Sequence, residues 1–554
     1  MTDMRRTLLW VVFTMSLVLL WDGWNKHNGH PTLFGAPVAE SSAAASAAGA
    51  APSAAGVPAV AGTAGVPGTT SPAAPAVSEQ FTVKTDVLNV TLDTRGGDIV
   101  RVELPKYKDD ADPTKPVAVL DSAGHHYLAQ TGVIGPNGAQ LPTHLTLMSV
   151  APGERTLKDG QDSLSVRFES PDVGGLKLVK TYTFRRGEYT MGVKHELVNV
   201  GSTPLQPQLY LQLQRDSVAP AGGSSFYSTF TGPAVYTAEK KFQKIDFKSL
   251  DKHEAGDSPL HIQHADDGWV GMVQHYFASA WLVKDGSPRD FRSAKLPNGL
   301  YTVSMLQPVG ELAPGATKTS DATLFVGPQE ENKLEALAPG LELVKDYGWL
   351  TVLSKPLFWV LVNLHKMIGN WGWSIIGLVV LLKIAFFWLN AKAYASMAKM
   401  KAVNPRIQEM RERMKDKPQE MQQEMMRIYR EEKINPLGGC LPIFIQMPFF
   451  IALYWVLLSS VEMRGAPWLG WIHDLSAKDP FYILPLLMTA SSLLQVALNP
   501  APADPMQAKM MWIMPLAFSF MFFFFPAGLV LYWVTNNLLS IAQQYVINKR
   551  LGVA

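Results

Sequence analysis

The residue best placed to do chemistry is Lys383, a single cation inside the apolar run Trp371 to Asn390, WGWSIIGLVVLLKIAFFWLN. At a rise of about 1.5 Å per residue, a run of about 20 residues matches a hydrocarbon layer roughly 30 Å thick. Lys383 then lies ~18 Å from one face and ~10 Å from the other, too deep to be ordinary end decoration. Such an ammonium either faces a bundle interior or water-filled cavity, where it can host a negative group, or lifts its head along a flexible stem to the nearer headgroups. Gln446 in CLPIFIQMPFF, Tyr532 in GLVLYWVTNN, and Asn536 with Asn537 are the other informative polar residues at membrane depth. They serve interhelical hydrogen bonding or, with Lys383, line a polar cavity. No carboxylate inside the spans can pair the lysine, which favours a wet groove over a buried salt bridge.

Other chemistry is poorly supported. His125, His126, His195, Glu196, His261, His264 and His275 match no metal-ligand spacing, and adjacent His195 and Glu196 on one strand point to opposite faces. The single cysteine, Cys440, excludes an intramolecular disulfide and a multi-cysteine metal site. It opens an apolar run and reads as a small packing residue. The prediction is therefore no catalytic set, no metal and no cofactor.

Several elements must position these residues. Of 554 residues, 47% are hydrophobic and only 17% charged, with a net charge of +2, which reads as a membrane protein with a soluble insert and not as a sequence-specific nucleic-acid binder. Arg5 and Arg6 precede an apolar run ending in Trp21 and Trp24. Interfacial tryptophans, in place of the small residues of a cleavage site, make residues 1–25 an uncleaved anchor with a cytoplasmic N-terminus. Residues 26–80, rich in Ala, Pro, Gly and Ser, form a flexible linker.

From 81 to 327 the period of the pattern is two: VLNVTLD, IVRVEL, SLSVRFES, KLVKTYTFRR, YTMGVKHELVN and PLQPQLYLQLQ, punctuated by Gly, Pro and Asp. This predicts a large antiparallel β-sandwich outside the cytoplasm. Residues 328–370 read as short linking helices and an amphipathic helix from Pro356 to Gly369, with Leu357, Val360, Leu361, Leu364 and Ile368 on one face, lying along the membrane surface. A membrane helix over 371–390 leads to a basic, cytoplasmic segment at 391–436, broken at Asp416-Lys417-Pro418 into a helical hairpin. Its Met397, Met400, Met410, Met414, Met421, Met425 and Met426 either form an adaptable client-capture surface or fill the hairpin core. Four further spans within 437–548 complete six, five of them in one bundle, with a short cytoplasmic tail at 549–554.

The strings NWGWSIIGLVVLLK, AKAYASMAKM, INPLGGCLPIFIQMPFFIALYWVL, WIHDLSAKDPFYILPLLM, DPMQAKMMWIMP and FPAGLVLYWVTNN resemble the YidC family of bacterial membrane protein insertases, over nearly the whole chain. The resemblance implies a polytopic α-helical inner-membrane protein with an inserted periplasmic all-β supersandwich. It also implies a hydrophilic groove open to cytoplasm and bilayer but closed to the periplasm. Lys383 occupies the family's cationic groove position, arginine in many members. Gln446 and Tyr532 match polar groove-side positions; Phe524 and Trp533 fall where relatives show other aromatics. The implied partners are nascent membrane proteins, the Sec translocon with its accessory subunits, a transiently bound translating ribosome and the bilayer. A small-solute transporter is the alternative, though no repeated halves are found. A membrane-tethered sugar-acting enzyme is prompted only by the sandwich.

Overall fold

The computed structural model describes residues 78–220, 229–254, 256–414, 417–432, 441–499 and 505–550. The expected anchor, nearly all of the linker, Cys440 and the last residues of the tail lie outside them. The chain divides into two compact units between Lys345 and Asp346.

The first unit follows directly from the alternating strings, which bury every second side chain, as in Ser163–Glu169 and Thr190–Asn199. One nine-stranded sheet runs β1 (Gln80–Lys84), β2 (Asn89–Asp93), β3 (Asp98–Lys108), β4 (Pro116–Asp121), β5 (Tyr127–Ile134), β10 (Gln208–Arg215), β17 (Tyr301–Pro308), β16 (Arg289–Lys295) and β13 (His264–Ala265). The second runs β12 (Lys241–Lys244), β11 (Gly232–Thr237), β14 (Trp269–Val273), β15 (Phe277–Leu282), β18 (Thr317–Pro328), β9 (Thr190–Asn199), β8 (Leu176–Arg185), β7 (Ser163–Glu169) and β6 (Ser149–Val150). Their inner faces bury Leu211, Val303, Phe184, Trp281 and Leu324. Trp281 Nε1 crosses between the sheets to donate to Gln212 O at 3.0 Å. Short helices α1 (Phe247–Lys252) and α2 (Glu331–Leu337) complete the unit.

The sandwich unit extends past the expected limit of 327 because the segment beyond β18 keeps apolar residues to bury. Leu334, Leu341 and Val344 are all buried, and Trp269 Nε1 donates to Pro339 O at 3.1 Å. His195 and Glu196 do point to opposite faces. His195 is fully buried, its Nε2 3.0 Å from Thr131 Oγ1, while Glu196 meets Lys194 and Arg167 outside. The turn Gly96-Gly97 needs its left-handed backbone, since a Cβ at Gly96 would fall 2.4 Å from His144 O.

The second unit is helical: α3 (Thr351–Ile368), α4 (Trp371–Ala385), α5 (Phe387–Arg413), α6 (Pro418–Glu431), α7 (Leu441–Ser459), α8 (Ile483–Leu498), α9 (Pro505–Phe522) and α10 (Ala527–Arg550). Left-handed Gly369 ends α3, and Asn370 starts α4 by accepting from the Trp373 N–H at 3.1 Å. The α3 face carrying Leu357, Phe358 and Leu361 packs against α4 and α7. Its outward face presents Val352, Trp359 and Met367.

The span expected over 371–390 is instead broken. Helix α4 ends at Ala385 and α5 leaves Phe386 at 69°. No Pro or Gly marks the bend; Phe386 packs edge-on against Phe449 at 5.0 Å. Among the described residues no single helix is both long and apolar enough to cross a membrane. This bent pair reaches that length and hydropathy together, and Gln446–Ser459, Ile483–Leu498 and Ala508–Phe522 are shorter apolar helices.

Candidate functional site

Helix α10 is the post around which the site is built, in contact with α4, α5, α7 and α8. Its first half is apolar and buried: Leu529, Val530, Leu531, Tyr532 and Val534 join a cluster with Leu378, Val379, Leu453 and Val456. The connection between α7 and α8 closes over this apolar end. Gly528 N–H donates to Leu475 O at 2.8 Å and Ala527 N–H to Ala477 O at 2.7 Å. Buried Asp479 accepts from Leu484 N–H at 2.7 Å and from Trp471 Nε1 at 3.0 Å. Against them Gly372 lets α4 approach Trp468, where a Cβ would come within 2.2 Å.

The second half of α10 is polar and still buried, with Asn536, Asn537, Ser540, Gln544 and Asn548 all inside. Helical spacing sorts its polar side chains onto two faces. Asn537 and Gln544, seven apart, face α8. Asn537 Nδ2 donates to Ser492 Oγ at 3.1 Å and Ser491 Oγ at 3.3 Å, and Gln544 Nε2 to Asn499 Oδ1 at 3.1 Å and Leu498 O at 3.3 Å. Ser540 and Gln543 face the bend between α4 and α5. Lys383 Nζ donates to Ser540 Oγ at 2.6 Å, and Gln543 Nε2 donates to Phe387 O at 3.3 Å.

Lys383 is thus buried, with 9% of its surface exposed, in the last turn of α4. Among the described residues no carboxylate lies within ion-pairing distance. Helices α4, α7, α8, α9 and α10 contain no Asp or Glu at all, so none of them can neutralise it. Asn390 and Tyr394, a turn apart on α5, flank the same bend. Asn390 is buried with Nδ2 lacking a protein partner, and Tyr394 shares a side-chain hydrogen bond with Ser540.

The other predicted site residues are placed differently. Tyr532 packs with Phe450 at 5.6 Å and Trp533 stacks on the same ring at 5.2 Å, both at the apolar cluster. Asn536 is one turn nearer Lys383, and its carbonyl accepts from Ser540 Oγ at 2.8 Å. Gln446 is half-buried near the start of α7. Ser540, Tyr394, Asn390, Ser491, Ser492, Gln543 and Gln544 were missed by reading the sequence. The signal that could have found part of this set is the i, i+4 series Asn536, Ser540, Gln544, Asn548 along α10.

In the hairpin of α5 and α6, Met410 joins Ile407 and Ile428 in a buried seam against which Met414, Met421 and Met425 pack. Met397 and Met400 are half-buried higher on α5, and Met426 is exposed. Arg406 bridges to Glu431 and Glu432 across the hairpin at 3.3 Å.

Comparison with known proteins accounts for both units. Residues 80–360 match the YidC periplasmic domain and residues 363–553 the 60Kd inner membrane protein family. The membrane protein insertase YidC of Cupriavidus metallidurans is 55% identical, covering 99% of this chain and 98% of its own. That of Burkholderia cenocepacia is 52% identical, covering 99% of each. A crystal structure of an active YidC insertase aligns over 85% of this chain and 93% of that one, at 19% identity and a TM-score of 0.40. With both units matched and the alignments running end to end, the chain belongs to the YidC family of membrane protein insertases, inner-membrane proteins with a periplasmic domain.

Proposed function

We propose that the polar half of the bundle is the groove through which this insertase passes its clients, with Lys383 as a transient electrostatic host for their polar or acidic parts. The observation that carries the reading is a buried cation with no carboxylate in reach, in a bundle whose apolar helices contain none. A charged residue at the centre of a membrane helix costs about 2.5 to 3.5 kcal/mol on insertion scales. A fixed cation beside hydrogen-bonding side chains offsets part of that cost for an acidic segment as it enters the bilayer. Water in the groove screens the attraction, so the client is released sideways into lipid. In this reading the apolar first half of α10, tied to the preceding connection by the Leu475 and Ala477 bonds, is the closed end of the groove.

This reading takes six spans with both termini cytoplasmic, the hairpin as the first surface a nascent chain meets, and the Sec translocon and a translating ribosome as partners. Its test is protease protection of two matched clients, one with acidic residues in its translocated tail and one with those residues neutralised, in cells depleted of the wild-type protein. Lys383→Arg supports both. Lys383→Glu impairs the acidic client several-fold more than the neutral one. Equal insertion of both by a normally expressed Lys383→Glu protein overturns the reading and leaves helix packing as the operative feature.

A further inference from the structure

We propose that Ser540 is the positioning residue for the groove cation, holding the Lys383 ammonium inside the bundle with its remaining N–H donors turned to the client. The proposal rests on the reading of Lys383 as client host. Its basis is the accounting of hydrogen-bond capacity at one hydroxyl. A serine has one proton to give and two lone pairs to accept with. Ser540 Oγ lies 2.8 Å from Asn536 O, one turn back on its own helix, and its proton goes there. One lone pair takes Lys383 Nζ on α4, at 2.6 Å, and the side chain of Tyr394 on α5 shares a hydrogen bond with the same hydroxyl. One hydroxyl therefore joins three helices.

Lys383 is used only in part. An ammonium has three N–H donors, and the contact with Ser540 occupies one of them. The other two have no partner among the described residues, which leaves a fork suited to a client carboxylate or amide. The lysine stem is long and flexible, and without a fixed acceptor its head is free to withdraw toward the aqueous mouth. Ser540 removes that freedom. Gln543, one turn further on the same face, holds Phe387 O at 3.3 Å and so fixes the start of α5 relative to the lysine. Arginine at this position would span such a site with its own planar fork; lysine needs an external acceptor to be aimed.

The experiment uses the full-length protein in inverted inner-membrane vesicles, with two readouts for Ser540→Ala, Ser540→Thr and wild type. One is the rate at which a water-soluble amine-reactive reagent modifies Lys383, followed by mass spectrometry. The other is the ratio of acidic to neutral client insertion. Alanine removes the acceptor without burdening the helix; threonine keeps the hydroxyl and is compatible with α10, where Thr535 Oγ1 already donates to Leu531 O at 2.8 Å. Ser540→Ala is expected to speed labelling of Lys383 several-fold and to lower the acidic-to-neutral ratio several-fold, with Ser540→Thr close to wild type. A wild-type labelling rate in Ser540→Ala, or an unchanged client ratio, overturns the positioning role. A parallel Lys383→Glu arm separates the two ideas: if it treats both clients alike, the host reading fails, and the labelling rate still decides whether Ser540 holds the lysine.

Discussion

His195 and His144 show how much a buried group can constrain the sandwich. Both lie inside, His195 against Thr131 and His144 with Nδ1 2.7 Å from the Tyr210 hydroxyl. Burial first, and the nearby Lys180 charge second, hold His195 down at about 3 and His144 at about 4. Each is neutral in the fold and gains a proton on unfolding below its ordinary value of about 6.5. Their stabilising contribution is therefore complete above about pH 6.5 and declines as pH falls toward 4, by roughly 1.4 kcal/mol per pH unit for each. Asp98 works against this trend, because burial pushes its carboxyl up, opposed by Lys180, so the fold keeps a proton there that the unfolded chain releases. About one histidine's slope should remain. Pulse proteolysis of the sandwich in urea should show a midpoint that drops between pH 7 and pH 5 in the wild type and stays nearly flat for His195→Gln, where His144 and Asp98 offset each other. A flat midpoint in both proteins would mean that the histidines carry no proton deficit.

At the scale of the element, the hairpin illustrates how one composition can serve two purposes. Met410, Met414, Met421 and Met425 close the seam between α5 and α6, so replacing them with serine removes packing before it removes any capture surface. The fourfold serine variant should lose hydrogen-exchange protection along α6 and, with it, client crosslinking. Met426, 45% exposed, is the outward methionine of α6. Met426→Ser should keep the protection of α6 and lower crosslinking only modestly. Normal crosslinking by a fourfold variant whose α6 has melted would exclude the hairpin from client capture altogether.

For the whole molecule, the division between Lys345 and Asp346 separates a sandwich with no metal-binding cluster among its described residues from a bundle that contains every residue of the proposed groove. Insertion is accordingly expected to survive removal of residues 90–320, provided the chain from Pro328 onward is kept to carry α3 into its place against α4 and α7. The measurement is complementation and client protection by the deleted protein in depleted cells. Loss of insertion with a correctly assembled bundle would give the sandwich a direct part in the process.

Much of this was legible in one dimension. A lysine in an apolar run with no acid nearby, alternating strands, a broken basic segment and polar residues recurring along the last helix are all local patterns, because periodicity records which side chains share a face of one element. Which elements meet is a different matter. Ser540 lies 157 residues from the lysine it accepts from, and nothing in either local pattern names the other. The bend at Phe386 has no proline or glycine to announce it; it is held by packing on Phe449 and by bonds from α10. The extension of the first unit to Lys345 likewise depended on where Leu334, Leu341 and Val344 could be buried. The sequence by itself determined the chemistry available and the elements that bear it. Only close packing of distant segments decided which hydroxyl meets the cation and which methionines turn inward.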